Sequence, residues 1–156
     1  MYSDYHFYNN NPYFYDSYRA PVDTQLVNDI QKAINGEYSA IACYERLAQM
    51  AGSQSERRRI REIQKDERRH FEEFVRIYTN LTGRQPRTEI QEGCPNAYKP
   101  GLEFAFKDEQ ETVDFYHEVA ERAQDQFIKR TFRRAAADEQ NHAVWFLYFM
   151  QKHPRY

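Results

Sequence analysis

Two short stretches decide the fold: DERRH at residues 66–70 and DEQNH at residues 138–142, each carrying a Glu-x-x-His pair. Residues three apart share one face of an α-helix, so each stretch presents a carboxylate and an imidazole together. The same shift of 72 residues aligns the surrounding sequence without a gap. The aligned pairs include Ile30 and Leu102, Glu37 and Glu109, Tyr44 and Tyr116, Ser53 and Asp125, and Phe74 and Phe146. The sequence therefore predicts two similar helical halves with internal two-fold pseudosymmetry.

Four long segments carry a helical pattern of apolar residues with recognisable ends. Asp and Ser favour the position before a helix, and Gly favours the position after one. The predicted helices run from Asp23 to Gly52, from Ser53 to Gly83, from Gly101 after Pro100, and from Asp125 to a stop before Pro154. The predicted bundle thus covers residues 23–156 and follows a separate tail, residues 1–22.

The connections define the predicted topology. The first and second segments follow each other almost directly, as do the third and fourth, so each pair is expected to form an antiparallel helical hairpin. Residues 83–101 lie between the hairpins, contain three prolines, and are numerous enough to cross the end of a bundle. Two hairpins joined by one long crossover describe an all-α, ferritin-like four-helix bundle.

A carboxylate lies in the middle of the apolar stripe of every predicted helix. The four are Glu37, Glu67, Glu109 and Glu139, and no Lys or Arg shares the inner stripes near them. One such Glu is ordinarily a boundary residue or half of an ion pair. Four that converge in one core would repel one another and lose hydration, at a cost of several kcal/mol per ion. Two divalent cations would balance their charge.

The sequence thus predicts a two-metal centre with six ligands. They are Glu37, Glu67, His70, Glu109, Glu139 and His142. Di-iron and di-manganese bundles take one Glu from each of two helices and a Glu-x-x-His from each of the others. We expect Glu67 and Glu139 to bridge two iron ions, Glu37 and Glu109 to be terminal, and one imidazole to bind each ion. Manganese or zinc is the alternative metal, and a decayed, metal-free site is the alternative to a metal centre.

Two aspartates are predicted to orient the imidazoles. Asp66 and Asp138 each precede the Glu of a Glu-x-x-His motif. A metal-bound imidazole usually donates its free N–H to a carboxylate. We therefore expect Asp66 to orient His142 and Asp138 to orient His70 across the bundle, the alternative being two solvated acids.

Two tyrosines are predicted to lie near the centre. Tyr44 and Tyr116 each follow a stripe Glu by seven residues, which is about two helical turns. Each hydroxyl is expected to hydrogen-bond a ligand carboxylate. The alternative is a core tyrosine whose hydroxyl has some other partner.

Composition and charge exclude several classes of function. The chain has 22 Lys and Arg against 24 Asp and Glu, which argues against a nucleic-acid-binding protein. The longest apolar run, residues 143–150, is too short to span a bilayer, and no secretory signal is evident. Two cysteines, Cys43 and Cys94, cannot form a disulfide scaffold or a four-thiolate site. We expect a cytoplasmic protein in which both cysteines are reduced and have no role.

These motifs resemble those of the rubrerythrin group within the ferritin-like superfamily. GEYSAIACYERLA at 36–48 is similar to the first-helix signature of that group, and DERRH and DEQNH are similar to its Glu-x-x-His motifs. The resemblance covers about residues 24–152. It implies a homodimer with a di-iron centre that reduces hydrogen peroxide, or that oxidises ferrous iron with peroxide or oxygen, in protection against oxidative stress or in iron handling.

The sequence departs from this group in two respects. Rubrerythrins carry a rubredoxin-like module with four cysteines that delivers electrons. This sequence has two cysteines in all, so a peroxidase cycle here would need an external donor. Their third core helix also has an extra Glu three residues after the first, where this sequence has Thr112. Glu111 could take that place only if the helix contained a one-residue bulge. The six-ligand set is therefore closer to a simple ferroxidase centre.

The N-terminal tail suggests an alternative function. Residues 1–20 contain six Tyr and three consecutive Asn but no Leu, Val or Ile. This composition is typical of a flexible tail, or of an aromatic arm that docks on the bundle or on a partner. In the second case the protein would be non-catalytic, a metal-stabilised structural or interaction protein that acts through the arm. Iron storage is a third possibility and needs a closed shell of many subunits.

Overall fold

The fold is a four-helix bundle, seen in a computed structural model that describes residues 23–91 and 93–153. The helices are α1 (Thr24–Met50), α2 (Gln54–Thr82), α3 (Tyr98–Arg122) and α4 (Gln126–Lys152). α1 packs against α2 and α3, and α4 packs against the same two helices. The predicted all-α bundle is confirmed. The predicted tail, residues 1–22, and the predicted stop at Pro154 lie outside the described residues.

Polar caps start three of the helices where the sequence predicted. Asp23 and Ser53 accept hydrogen bonds from the N–H three residues on, at 3.1 and 3.2 Å. Asp125 accepts from the N–H groups two and three residues on, at 2.8 and 2.9 Å. These bonds satisfy amides that have no partner within the helix. Gly83 ends α2 with φ of 70°, a left-handed conformation that glycine adopts without steric cost.

The start of α3 differs from the prediction. The helix begins at Tyr98 rather than at Gly101, and Ala97 before it provides no side-chain cap. Pro100 therefore lies in the first turn of the helix. The prediction was wrong because the first four N–H groups of a helix have no acceptor within it, so a proline there removes no hydrogen bond.

The connection between α2 and α3 runs along the side of the bundle. Near the start of α1, Gln31 Nε2 donates to the carbonyl of Arg87 at 2.6 Å. Near the end of α1, Arg46 Nη1 donates to the carbonyl of Cys94 at 3.2 Å. The connection therefore follows α1 in the same direction, and does not cross the end of the bundle as predicted. As a result α3 begins beside the end of α1, and these two helices are antiparallel.

Cys43 and Cys94 form a disulfide bond, with Cα atoms 5.1 Å apart. The expectation of two reduced cysteines without a role is therefore wrong. The pairing follows from the lengthwise path of the connection, which brings residue 94 beside the last turns of α1. The bond ties the connection to α1 across a sequence separation of 51 residues.

Two apolar clusters fill the bundle, one toward each end. The first includes Phe74 and Phe132, whose stacked rings have centroids 4.3 Å apart. The second includes Leu47, Leu102 and Phe146, all fully buried. Phe74 and Phe146 are aligned by the 72-residue shift, so the two clusters reflect the predicted pseudosymmetry. Within the described ranges, no helix has both the length and the apolar character needed to span a membrane.

Candidate metal centre

The six predicted ligands lie together in the layer between the two apolar clusters, and none is more than 3% exposed. α1 and α3 each contribute one Glu, and α2 and α4 each contribute a Glu and the His one turn later. Two groups of four side chains each bring one ligand atom per residue to within 4.8 Å of the others. The groups are Glu37, Glu67, His70 and Glu139, and Glu67, Glu109, Glu139 and His142. Glu67 and Glu139 therefore belong to both groups.

The Nδ1 atom of each imidazole faces the two shared carboxylates. His70 Nδ1 lies 3.0 Å from an oxygen of Glu139 and 3.3 Å from an oxygen of Glu67. His142 Nδ1 lies 2.9 Å from an oxygen of Glu67 and 3.0 Å from an oxygen of Glu139. Each ring thus points one nitrogen into the cluster and leaves Nε2 for a partner outside it.

Three buried side-chain atoms of the cluster lack hydrogen bonds. Glu67 Oε1, His70 Nδ1 and Glu139 Oε1 are enclosed, and none makes a hydrogen bond of acceptable geometry. An unsatisfied buried polar group costs about 1–3 kcal/mol. Carboxylate and imidazole lone pairs that converge in this way suit first-row divalent metal ions. The donor atoms of the cluster therefore fit two such ions.

Both predicted aspartates contact an imidazole across the bundle. His70 Nε2 lies 3.2 Å from Asp138 Oδ2, and His142 Nε2 lies 3.4 Å from Asp66 Oδ2. Arg69 connects the two acids, because its Nη2 lies 2.7 Å from Asp138 and 3.2 Å from Asp66. The two imidazoles are therefore linked outside the ligand cluster by one guanidinium.

The two aspartates are not equivalent. The Asp138 side chain is 14% exposed, whereas that of Asp66 is 41% exposed. Asp138 also pairs with Arg134, whose Nη2 lies 3.0 Å from Oδ1. The additional partner and the deeper position hold Asp138 more firmly than Asp66.

The two predicted tyrosines cross between the halves of the chain. The Tyr44 hydroxyl on α1 donates to Glu109 Oε1 on α3 at 2.6 Å. The Tyr116 hydroxyl on α3 donates to Glu37 Oε1 on α1. Each tyrosine thus bonds the glutamate that lies seven residues before the other tyrosine, and not the glutamate seven residues before itself. This exchange places both hydrogen bonds across the α1–α3 interface.

Comparison with known proteins identifies the family. The Rubrerythrin family model matches residues 101–155, which include most of α3 and all of α4. YhjR of Bacillus subtilis (strain 168), described as an uncharacterized protein, is 49% identical over 142 residues, which cover 90% of this chain and 98% of YhjR. The chain belongs to the same family as YhjR. Residues 101–155 of this YhjR relative are similar to the Rubrerythrin family.

Two solved structures share the fold of this YhjR relative. A hypothetical protein from Pyrococcus furiosus has a TM-score of 0.73 at 18% identity, over 88% of this chain and 97% of its own. A conserved hypothetical protein from Mycobacterium tuberculosis has a TM-score of 0.73 at 13% identity, over 85% of this chain and 95% of its own. At these identities the likeness shows the fold alone.

In this cluster, burial raises the pKa values of the two unshared carboxyls, Glu37 and Glu109. The nearby carboxylates Glu67 and Glu139 raise them further, because like charges oppose ionisation. Burial and the carboxylate that each contacts, Glu109 for Tyr44 and Glu37 for Tyr116, also raise the pKa values of the two tyrosines. Both tyrosines therefore remain protonated and keep their roles as hydrogen-bond donors.

The imidazoles compensate the shared carboxylates electrostatically. Burial by itself would raise the pKa of Glu67, but the adjacent His142 outweighs it and lowers the pKa to about 2. Burial likewise disfavours the charged form of His142, yet the surrounding carboxylates raise its pKa. Protons thus balance part of the negative charge when no metal does. Because metal ligands must be deprotonated, binding of metal here releases protons.

A cavity of about 150 Å³ opens between α1 and α3 beside the cluster, lined in part by Gly36, Thr112 and Tyr116. A smaller cavity of about 10 Å³ shares these three residues and is also lined by Glu37 and Glu109. Small side chains on facing helices leave the gap. The two cavities share part of their lining, and carboxylates of the cluster line the smaller one.

Glu111 does not join the cluster. α3 is α-helical from Tyr98 to Arg122 without a bulge, so Glu111 stays one position out of register with the inner face. Its side chain is exposed and lines the wall of the larger cavity. Thr112, at the position predicted to lack a carboxylate, lines both cavities.

Sequence reasoning missed Arg69 and the cavity. Arg69 lies off the inner stripe, but its position next to His70 in DERRH and three residues after Asp66 was a usable signal. The cavity left no signal in the sequence, because its walls come from two helices and from the connection beside α1.

Proposed function

We propose that this protein binds two iron ions in the carboxylate and histidine cluster and that hydrogen peroxide or oxygen oxidises the diferrous centre. The observation that carries this proposal is the pair of overlapping ligand groups that share Glu67 and Glu139. The groups contain only carboxylate and imidazole donors, which suit iron or manganese. The rubrerythrin-like family supports a redox role for such a centre.

In this proposal Glu67 and Glu139, which belong to both ligand groups, would each help to hold both ions. Glu37 and His70 complete one site, and Glu109 and His142 complete the other. When bound, the two ions supply the two electrons that reduce the oxidant. The protein supplies the geometry and the buried, water-poor setting in which that transfer occurs.

The surrounding side chains hold the ligands in place. Asp138 accepts a hydrogen bond from the Nε2–H of His70, and this bond directs Nδ1 toward the shared carboxylates. Tyr116 donates to Glu37, which leaves the other oxygen of this carboxylate free to bind an ion. Tyr116 also lines both cavities, so in this proposal it is a proton-bearing residue beside the path of an entering oxidant.

We propose that the oxidant enters through the cavity between α1 and α3. Its volume of about 150 Å³ exceeds the needs of a molecule with two heavy atoms. Thr112 and the exposed Glu111 leave the centre without an extra carboxylate, which favours a ferroxidase-type centre. The role in the cell would be protection from peroxide or the handling of iron in the cytoplasm.

The test is metal loading followed by oxidation. Metal-free protein is loaded anaerobically with ferrous iron, the ions per chain are counted, and the ferric absorbance is followed after mixing with peroxide or oxygen. Two ions per chain with rapid oxidation are expected, and the faster oxidant identifies the substrate. Glu67→Gln should abolish this stoichiometry, whereas Glu72→Gln, an exposed change on the same helix, should leave it intact.

Two outcomes would redirect the proposal. Two bound ions that react with neither oxidant would favour a metal-stabilised structural protein. A protein that binds no divalent ion would leave Glu67, His70 and Glu139 with unsatisfied buried atoms and would overturn the metal assignment.

A further inference from the structure

The disulfide lies close to the proposed metal centre. Cys43 follows Glu37 by six residues on α1, a rise of about 9 Å along the helix axis. The next residue, Tyr44, donates its hydroxyl hydrogen bond to Glu109. Cys43 is 3% exposed and packs in the same apolar cluster as Tyr44. A two-electron redox couple therefore lies on the helix that supplies Glu37, next to a residue that bonds Glu109.

We propose that Cys43 and Cys94 form an internal electron donor for the centre, cycling between dithiol and disulfide. The proposal rests on the proposed function. In the net reaction one hydrogen peroxide and two thiols give two waters and one disulfide. The O–O bond breaks and the S–S bond forms, and the two thiol protons and two electrons pass to the peroxide oxygens. An external dithiol then restores the two thiols by exchange and becomes a disulfide itself.

The two cysteines have different exposures, as this cycle requires. Cys43 faces the apolar cluster, whereas Cys94 is half-buried in the connection at the surface. An external thiolate can therefore reach Cys94 and release the Cys43 sulfur. Arg46 Nη1 donates to the backbone carbonyl of Cys94 at 3.2 Å, which fixes the position of this residue beside α1.

Contacts other than the disulfide also hold the connection beside α1. Gln31 Nε2 donates to the carbonyl of Arg87 at 2.6 Å, and Ser39 Oγ accepts from the Gln91 N–H at 3.1 Å. The two sulfur atoms therefore stay close after reduction and can form the bond again. In the proposed cytoplasmic setting, a disulfide is typically transient and catalytic rather than structural.

The first experiment follows the thiols themselves. Reduced protein loaded with ferrous iron is treated anaerobically with one equivalent of peroxide, and free thiols and intact mass are measured. Loss of both thiols, with an intramolecular Cys43–Cys94 bond, is the expected result. The Glu67→Gln protein should keep its thiols over the same time. Iron oxidation with both thiols retained would overturn the internal donor and leave the proposed function standing.

Two other results of this experiment would overturn the internal donor. Thiol loss that is equally fast in Glu67→Gln would show direct attack of peroxide on the cysteines and would overturn the proposal. Failure of the iron to bind or to be oxidised would overturn the proposed function and the internal donor together.

The second experiment follows turnover with dithiothreitol as the external dithiol. The native protein is expected to consume many equivalents of peroxide per chain. The Cys43→Ser/Cys94→Ser protein should stop after its loaded iron is oxidised once. Gln49→Ala, an exposed change on the same helix as Cys43, should sustain turnover. Sustained turnover by the double serine variant would overturn the proposal, since dithiothreitol would then reduce the centre directly.

Discussion

Tyr44 on α1 donates a hydrogen bond of 2.6 Å to Glu109 on α3, so each half of the chain positions a carboxylate of the other half. The bond is fully buried and joins the two helices that border the cavity. It therefore ties the position of a proposed ligand to the packing of α1 against α3.

Removal of this hydroxyl is expected to weaken the protein and the metal site together. Tyr44→Phe preserves the ring but leaves a buried oxygen of Glu109 without its donor, at a cost of about 1–3 kcal/mol in unfolding free energy. Chemical denaturation and metal titration measure the two effects. Tyr38→Phe, at a position 39% exposed on the same helix, is the control and should change neither. Unchanged metal affinity in Tyr44→Phe would refute the positioning role.

The two aspartates offer a graded test of how the imidazoles are held. Asp138→Asn is expected to lower metal affinity by about 10- to 100-fold, the usual effect of removing an outer partner of a ligating His. Asp66→Asn should have the smaller effect, because Asp66 is more exposed and lacks the Arg134 partner. Competitive metal titration ranks the two variants. Equal losses would show that the difference in burial has no consequence for the site.

Two glycines should respond in opposite ways to the same substitution. A Cβ at Gly36 meets no atom within 4 Å, so Gly36→Ala should stabilise α1 by about 0.5–1 kcal/mol. A Cβ at Gly101 would lie 2.3 Å from Leu47 Cδ2 in the fully buried core, so Gly101→Ala should destabilise the bundle by about 1–3 kcal/mol. Thermal unfolding of the pair measures both. The same sign of change in both variants would contradict the packing described at one of them.

Glu56 is expected to make stability depend on acid pH. It is 2% exposed, accepts the Tyr98 hydroxyl at 2.8 Å and lies 3.0 Å from His153 Nε2. Burial alone would raise the pKa of Glu56, but the bonds with His153 and Tyr98 outweigh it and lower the pKa below the ordinary 4.5. A carboxyl with a lowered pKa in the folded state contributes stability above its unfolded pKa, and that contribution is lost as the pH falls through the folded value.

Glu56→Gln should therefore flatten the acid side of the stability profile. Urea unfolding between about pH 3 and 6 should show the native protein losing more unfolding free energy than the variant. Glu62→Gln, an exposed change on the same helix, should follow the native curve. A native curve that is flat over this interval would exclude Glu56 as a source of acid sensitivity.

The repeated motifs predicted the helices and the cluster because both depend on local periodicity. The spacing of Glu67 and His70 on α2 determines which face they share, and the 72-residue shift extends the argument to α4. Burial of carboxylates in a core then demands compensation wherever the helices pack. These inferences need no knowledge of the loops.

Apart from Arg69, the features that sequence reasoning missed depend on the path of the connection between α2 and α3 or on the exact register of the helices. The disulfide requires that the connection run beside α1, a path stabilised by contacts such as Gln31 with Arg87 that leave no periodic signal. The exchange of Tyr44 and Tyr116 across the interface depends on how α1 and α3 face each other. The early start of α3 depends on the tolerance of its first turn for Pro100.

The two carboxylates shared by the ligand groups bear on how the centre would fill. An ion bound by the first group would fix Glu67 and Glu139 in place, and these are two of the four side chains that the second ion needs. The conformational entropy of these two side chains is then lost before the second ion binds, so the second ion would bind more tightly than the first. Loading would therefore be cooperative, and chains would be either empty or full. A half-filled centre could give an oxidant only one electron and release a radical. Shared ligands would therefore guard against the most damaging incomplete state of the protein.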